Sequence, residues 1–470
     1  MKKKIKRALS VFLAGIVAAS TLTVGASAAS SKLKLQTVAI SKVEKATDFG
    51  SLGDGYYWVE NSADPNLTPD LDEIVYIGVD ELKKWQEKGK FTYKKIKTDP
   101  DMTDMLISGG FTDDGSYMQF QPCDADRNIL KRYIVTHDEK NTKLTTAYTK
   151  GSDWSWTNPN GYTVEAKWNT AKTKYTVTVT APDGTEKKKT LTYKGEGEPF
   201  VRTIATDSTG KYVAYVLWKT GQYDDNQYTD EDMLQYNRSD SFKIYGVKKN
   251  GKFTTLINYE GGQFGRRGAY GYNIDSSGSN YITYWILNPP IAGQSTVYLT
   301  DSKKTFTFQN DIYDQGGTYG KFYGITDKVY GTRAIVQLGK YNSETGETES
   351  DNYILADLSK TEEYGMLTDF SKVYKHMYTG DGKIYVVENE EGKWGYINRK
   401  GKELGFFDSA NSFKEGSDYA IVLKNGKAYL VDRNMKQVSE KIDADSINTL
   451  DDGLWQITKG DKTYLMTYKK

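Results

Sequence analysis

Asp207-Ser-Thr-Gly210-Lys-Tyr-Val-Ala-Tyr215 joins a polar turn to an alternating aromatic strand. The same arrangement returns at Thr112-Asp-Asp-Gly115-Ser-Tyr-Met-Gln-Phe120, and at Asp275-Ser-Ser-Gly278 followed by Tyr281-Ile-Thr-Tyr284. Asp, Ser and Gly suit a tight turn, and alternating aromatic and aliphatic residues suit a pleated, half-buried strand. Working outward, Gly55, Gly115, Gly161, Gly210, Gly278, Gly331, Gly382, Gly416 and Gly453 open such units, spaced 34 to 68 residues apart. After most of them come a strand, a polar loop and a hairpin. Asn250-Gly251 lies between alternating runs at 242–247 and 253–257, and Asp183-Gly184 between runs at 175–179 and 189–193. Such dipeptides predict hairpins with both turn positions at positive φ. Residues 297–299 and 306–308 form a third pair.

Three or four short strands in about 40–50 residues is the period of a propeller blade. One such unit cannot bury both faces, whereas a ring of them can. The predicted fold is therefore all-β, a β-propeller of seven to eight blades of short antiparallel strands. The strand at 33–40 closes the ring on the last blade. A tandem of β-sandwiches is the competing architecture, because the spacing is uneven. Composition agrees with β structure: 37 Tyr, 16 Phe and 9 Trp against only 9 Pro. The one helical pattern is 80–88, stopped by Gly89.

Two resemblances follow from these residues. Asp207-x-x-Gly210-Lys-Tyr-Val-Ala-Tyr215 resembles the blade signature of Tol–Pal and prolyl-oligopeptidase propellers, in which the turn precedes an inner strand. It implies fold and says nothing of activity. Gly392-Lys-Trp394-Gly395-Tyr-Ile-Asn-Arg-Lys-Gly401-Lys-Glu403 resembles a WG repeat, with Phe413, Gly416, Ala420, Val422 and Gly426 continuing the pattern. The next copies depart from it: Ala428-Tyr429 stands in place of Trp-Gly. The resemblance covers about 376–470 and implies an interaction or ligand-sensing module. The expected division is a signal peptide at 1–28, propeller repeats at 29–375, and a WG-like β segment at 376–470. That segment either completes the ring or forms a separate sheet.

The address comes from the first residues. Lys2, Lys3, Lys4, Lys6 and Arg7 precede a short apolar run, and Ala26-Ser27-Ala28 fits signal-peptidase cleavage after Ala28. The expected location is secreted or cell-surface associated. No later apolar stretch approaches the ~20 residues that span a bilayer. Without the leader, 58 basic residues face 62 acidic ones. That mixed balance argues against a nucleic-acid partner. Cys123 is alone, so no intramolecular disulfide forms.

Catalytic motifs are scarce. His137 and His376 are the only imidazoles, and neither a zinc-binding His pair, a Gly-x-Ser-x-Gly elbow nor a phosphate loop is present. Paired carboxylates placed by the fold remain open, because they leave no sequence trace. Two weaker patterns concern binding. Trp154 and Trp156, one residue apart in a turn-rich segment, present two indoles on one face for stacking on sugar rings; Tyr56, Tyr57 and Trp58 form a second aromatic group. Asp224, Asp225, Asp230 and Asp232 in a long loop offer hard oxygen ligands for calcium. The expected function is a non-catalytic secreted binding protein. Its ligand is a cell-envelope or extracellular polysaccharide, a peptide or an exported protein. The alternatives are an extracellular glycosidase or lyase with paired carboxylates in the central pocket, and a structural cell-surface or spore-coat component.

Overall fold

Alternation of apolar and polar residues between glycine turns produces short meanders. The computed structural model describes residues 32–53, 55–61, 73–96, 117–120, 133–138, 143–149, 156–157, 162–181, 183–192, 200–204, 211–220, 241–259, 269–273, 280–288, 291–309, 311–315, 318–341, 348–361 and 367–470. Among them run nine antiparallel sheets, eight of four strands and one of three. The first holds Asp48–Gly53, Tyr56–Glu60, Glu73–Tyr76 and Lys94–Ile96. The second to eighth lie within 117–149, 156–192, 200–259, 269–309, 311–357, 376–407 and 409–443. The ninth takes Ser446–Asp451, Leu454–Lys459 and Lys462–Tyr468, then adds Leu35–Ala39 from the other end of the described chain. Leu35 lies opposite Tyr468 and Ala39 opposite Tyr464, so the 33–40 strand closes the last sheet as expected.

Among the described residues, neighbouring sheets pack face to face at six seams. Val177 and Val216 join the third to the fourth. Phe308 and Val336 join the fifth to the sixth, and Leu355 and Tyr385 the sixth to the seventh. Tyr396 and Val422 link the seventh to the eighth, and Leu430 and Trp455 the eighth to the ninth. Leu454 and Leu465 of the ninth then pack on Tyr57 and Val75 of the first. A row of sheets whose last member packs on its first is a ring, and this arrangement replaces a tandem of sandwiches. The chain is a β-propeller, and Leu33–Lys470 form one compact unit.

Nine sheets exceed the seven to eight expected. The last three units are short, yet each sheet has four strands: the eighth uses two minimal ones, Ser409–Ala410 and Ile442–Asp443, and the ninth takes its fourth from Leu35–Ala39. Gly55, Gly382, Gly416 and Gly453 have positive φ and lie between the first and second strands of their sheets, whereas Gly331, also at positive φ, lies between the second and third strands of the sixth.

Two local expectations have distinct outcomes. The helix spans Val79–Lys88 and ends at Gly89, which is left-handed. In the hairpins, only the glycine has positive φ, +78° at Gly251 and +83° at Gly184. The loop is longer than a two-residue turn: the Gly251 N–H donates to the Lys248 carbonyl, and the Lys248 N–H to the Lys252 carbonyl. The chain bends through Lys249 and Asn250 in an ordinary right-handed turn, and the glycine alone closes it.

Candidate functional site at the ring closure

Where the ninth sheet meets the first, the strands frame a cavity of about 450 Å³. Three connections build it. The Gly55 turn and the Asp451-Asp452-Gly453 turn each lead into the second strand of their sheet, and Ile77-Gly78 leads into the helix. The helix is locked here from both sides. Trp85 enters the core between the two sheets, and the Gln86 amide Nε2 donates to Thr467 Oγ1 at 3.2 Å. The Lys470 N–H donates to the Gln86 carbonyl at 3.1 Å, tying the chain end to the rim. A Cβ at Gly78 would fall 2.2 Å from the Tyr76 hydroxyl oxygen, so the tip of that side chain would have to shift.

The wall is aromatic and the floor is polar. Tyr56 and Tyr76 pack with ring centroids 4.7 Å apart, and Tyr468 completes the wall. Burial, with Asp452, Tyr419 and Asp418 adding to it, pushes the Tyr468 phenol up to about 12. Tyr57 is fully buried, its ring stacked on Phe49 at 4.9 Å. Its hydroxyl has no hydrogen-bond partner among the described residues. Burial first, then the charge of Asp451, holds that phenol well above its ordinary value. Asp451 is displaced upward too. Burial raises its carboxyl, and the N–H groups of Asp452 and Gly55 and the Lys414 charge pull it down without prevailing. The phenol is closed off in the core, so Asp451, half-buried, is the member of this pair that the cavity exposes.

The structure places the predicted residues as follows. Tyr56 and Tyr57 line this cavity, Tyr57 from the core side. Trp58 points to the opposite face, its indole over Gly50, where a Cβ would fall 2.1 Å from the ring. Trp156 begins the third sheet, in the two-residue strand Trp156–Thr157, and its side chain lies outside the described residues. So do Trp154, Asp224, Asp225, Asp230 and Asp232. Among the described residues no group of three or more His, Cys, Asp or Glu could hold a metal ion, and no helix is long and apolar enough to cross a membrane. Asp451, Tyr76 and Tyr468 carried no functional signal in the sequence. Their meeting depends on the first and last units being neighbours.

A second aromatic group lies on the seventh sheet. Trp394 is parallel to Tyr378 at 5.7 Å and to His376 at 6.1 Å. Tyr378 shares a cross-strand row with Val386 and Tyr396, which are buried, yet it is 51% exposed. The eighth sheet begins with only Ser409–Ala410, too short to cover the whole inner strand beside it.

Comparison with known proteins adds resemblances of fold alone. No family model matches the chain, and no curated protein does. Among solved structures, prolyl oligopeptidase B from Galerina marginata is 10% identical with a TM-score of 0.33, covering 77% of this chain and 54% of that one. The chain thus spans about half the length of that enzyme. BamB from Moraxella catarrhalis is 11% identical with a TM-score of 0.24, covering 71% and 93%. The Dos1 propeller is 9% identical with a TM-score of 0.34, covering 93% and 94%. At these scores the fold rests on the chain's own sheets and their closure.

Proposed function

We propose that this chain is an exported, non-catalytic binding protein, whose ligand enters the cavity at the ring closure. The ligand class is a cell-envelope or extracellular polysaccharide, a peptide or an exported protein. The cavity itself carries this reading. It falls in the size range of ligand sites, about 300–1,000 Å³, and combines an apolar aromatic wall with a few convergent polar groups. Its position is supportive, since rigid strands hold the wall while the turns of two blades form the rim. Export rests on the leader pattern at 1–28.

One observation favours a second reading, an extracellular carbohydrate-active enzyme. Asp451 and Asp452 line the same cavity, and glycoside hydrolysis uses a pair of carboxyl groups facing one site. One experiment separates the two. The secreted chain is incubated with a panel of wall and biofilm polysaccharides, and retention and released products are scored together. Retention without products, lost in Asp451→Ala while the fold persists, is the expected result. New reducing ends or unsaturated products that vanish in Asp451→Ala select the enzyme. Neither retention nor turnover on any polysaccharide, peptide or exported-protein fraction removes both.

A further inference from the structure

We infer that the cavity at the ring closure takes a lysine side chain from a peptide, its ammonium against the Asp451 carboxyl and its stem along Tyr76 and Tyr468. This deepens the binding reading, rests on it, and selects the peptide from the classes named there.

Depth sorts the lining. Tyr56 and Tyr57 are buried and offer an entering group almost no surface. Asp452, Lys83 and Lys470 are exposed at the rim, where water weakens their charges. Between these levels lie Tyr76, Tyr468 and Asp451, each half-buried. Asp451 is thus the lining charge with part of its water removed, and its interactions count for more than those at the rim. One of its oxygens accepts from the Asp452 N–H at 2.7 Å. Lys414, outside the cavity lining, pulls on it by charge, and burial still prevails. An ammonium in contact would relieve that carboxyl.

The two half-buried tyrosines already hold lysines of this chain. Lys470 Nζ sits over the Tyr468 ring, 5.9 Å from its centroid, and Lys94 Nζ over the Tyr76 ring at 5.3 Å. The face of such a ring attracts an ammonium, and the stem of a lysine packs on apolar surface while its head keeps to charge or water. Lys94 stands outside the cavity lining and is held by Glu81 at 3.6 Å. Lys470 is exposed, and its backbone N–H is tied to the Gln86 carbonyl, so its side chain is free to leave the ring while the chain stays in place. The helix start at Gly78 and Val79 borders the cavity as well, and Asp80 and Glu81 in its first turn offset its positive end. A lysine from a peptide replaces Lys470 on the ring and gives Asp451 a cation in contact.

Two variants read the sign of the ligand. Asp451→Asn keeps the shape of the side chain and removes its charge. Lys470→Gln removes the competing ammonium and keeps the N–H that Gln86 accepts. The full chain and both variants are titrated with a capped glycine–lysine–glycine peptide. The same peptide acetylated on the lysine amine, its glutamate counterpart and an oligomer of glucosamine serve as counter-probes. Saturation-transfer NMR reads the binding, and melting temperatures check that each variant is folded. The expected result is binding of the lysine peptide that acetylation abolishes. Asp451→Asn weakens it by about tenfold or more, and Lys470→Gln tightens it by about two- to fivefold. Equal binding of the acetylated peptide, an unchanged affinity in Asp451→Asn, a weaker one in Lys470→Gln, or a firmer hold on the glucosamine oligomer overturns the inference. If no lysine peptide binds while the chain retains a polysaccharide or exported-protein fraction, the inference fails and the binding reading stands. If the chain retains nothing and binds no probe, both fail.

Discussion

Two seams of this ring treat the same kind of residue in opposite ways. Between the seventh and eighth sheets, Asp381 precedes the turn glycine Gly382 and has a side chain only 4% exposed. Arg433 Nη1 donates to it at 2.6 Å, and the N–H groups of Lys383 and Ile384 donate as well. Burial works to raise this carboxyl, and the Lys383 and Arg433 hydrogen bonds outweigh burial, so it lies below its ordinary value. Asp451 occupies the corresponding turn of the ninth sheet, against the first. No guanidinium reaches it among the described residues, and burial prevails. The first seam is a filled joint. The second keeps an acid, a phenol and a cavity. Asp381 thus joins its two sheets, while Asp451 at the closure is left without such a cation.

The contrast can be broken at the filled seam first. Arg433→Met leaves Asp381 buried without its cation, and stability should fall by about 3 kcal/mol. Denaturant midpoints check this, and adding Asp381→Asn should recover part of the loss. If the single variant costs nothing measurable, the two seams do not differ in the way described. A smaller, steric effect compares the closure with the other face of the seventh sheet, where Gly395 shares a row with Val387 and Phe406 against the sixth sheet. In Gly395→Ala the new methyl lands 2.4 Å from the Gly405 carbonyl oxygen, a backbone atom, and should cost about 2 kcal/mol. In Gly78→Ala the obstacle is the far end of the Tyr76 side chain, which has the cavity beside it. That change should cost less than about 1 kcal/mol. Equal losses in melting temperature would mean that the closure is as tightly packed as the rest.

What the sequence made legible follows from where the signals act. Turn chemistry and alternation are local, so strands, the helix stop at Gly89 and the glycine turns at Gly55, Gly382, Gly416 and Gly453 were readable. The closing strand was readable because its alternation needed an unpaired edge, and Lys462–Tyr468 supplies one. The blade count was harder, since two-residue strands such as Ser409–Ala410 have no periodicity to detect. The site was hardest. Tyr56 and Tyr57 stood out only as part of an aromatic run, and nothing near position 451 marked Asp451 as different from Asp381. The difference is the neighbour, the hydrogen-bonded Arg433 guanidinium in one case and the unbonded Tyr57 phenol in the other. The second pair lies almost 400 residues apart in the chain and meets only through closure. The acids at 224–232 and the indole of Trp154 fall outside the described residues.

The subtlest difference between the seams is in their response to pH. An unfolded Asp titrates near about 3.9. Asp451 titrates above that when folded, so between the two values the native state holds more protons than the unfolded state. Stability contributed by this group is then full below about 3.9 and declines as pH rises through the folded value. Asp381 does the reverse: its contribution is present above about 3.9 and is lost as pH falls through its lower folded value. Asp451→Asn removes a charge that the fold holds at a disadvantage. It should therefore be more stable than the unaltered chain at neutral pH, by on the order of 1 kcal/mol, and no more stable near pH 3.5. Asp381→Asn should lose stability at neutral pH and little at low pH. Denaturant midpoints from roughly pH 3.5 to pH 8 read both curves. Curves that run parallel would show that the two turn acids share one electrostatic environment, and the open seam would then have no special claim on a ligand.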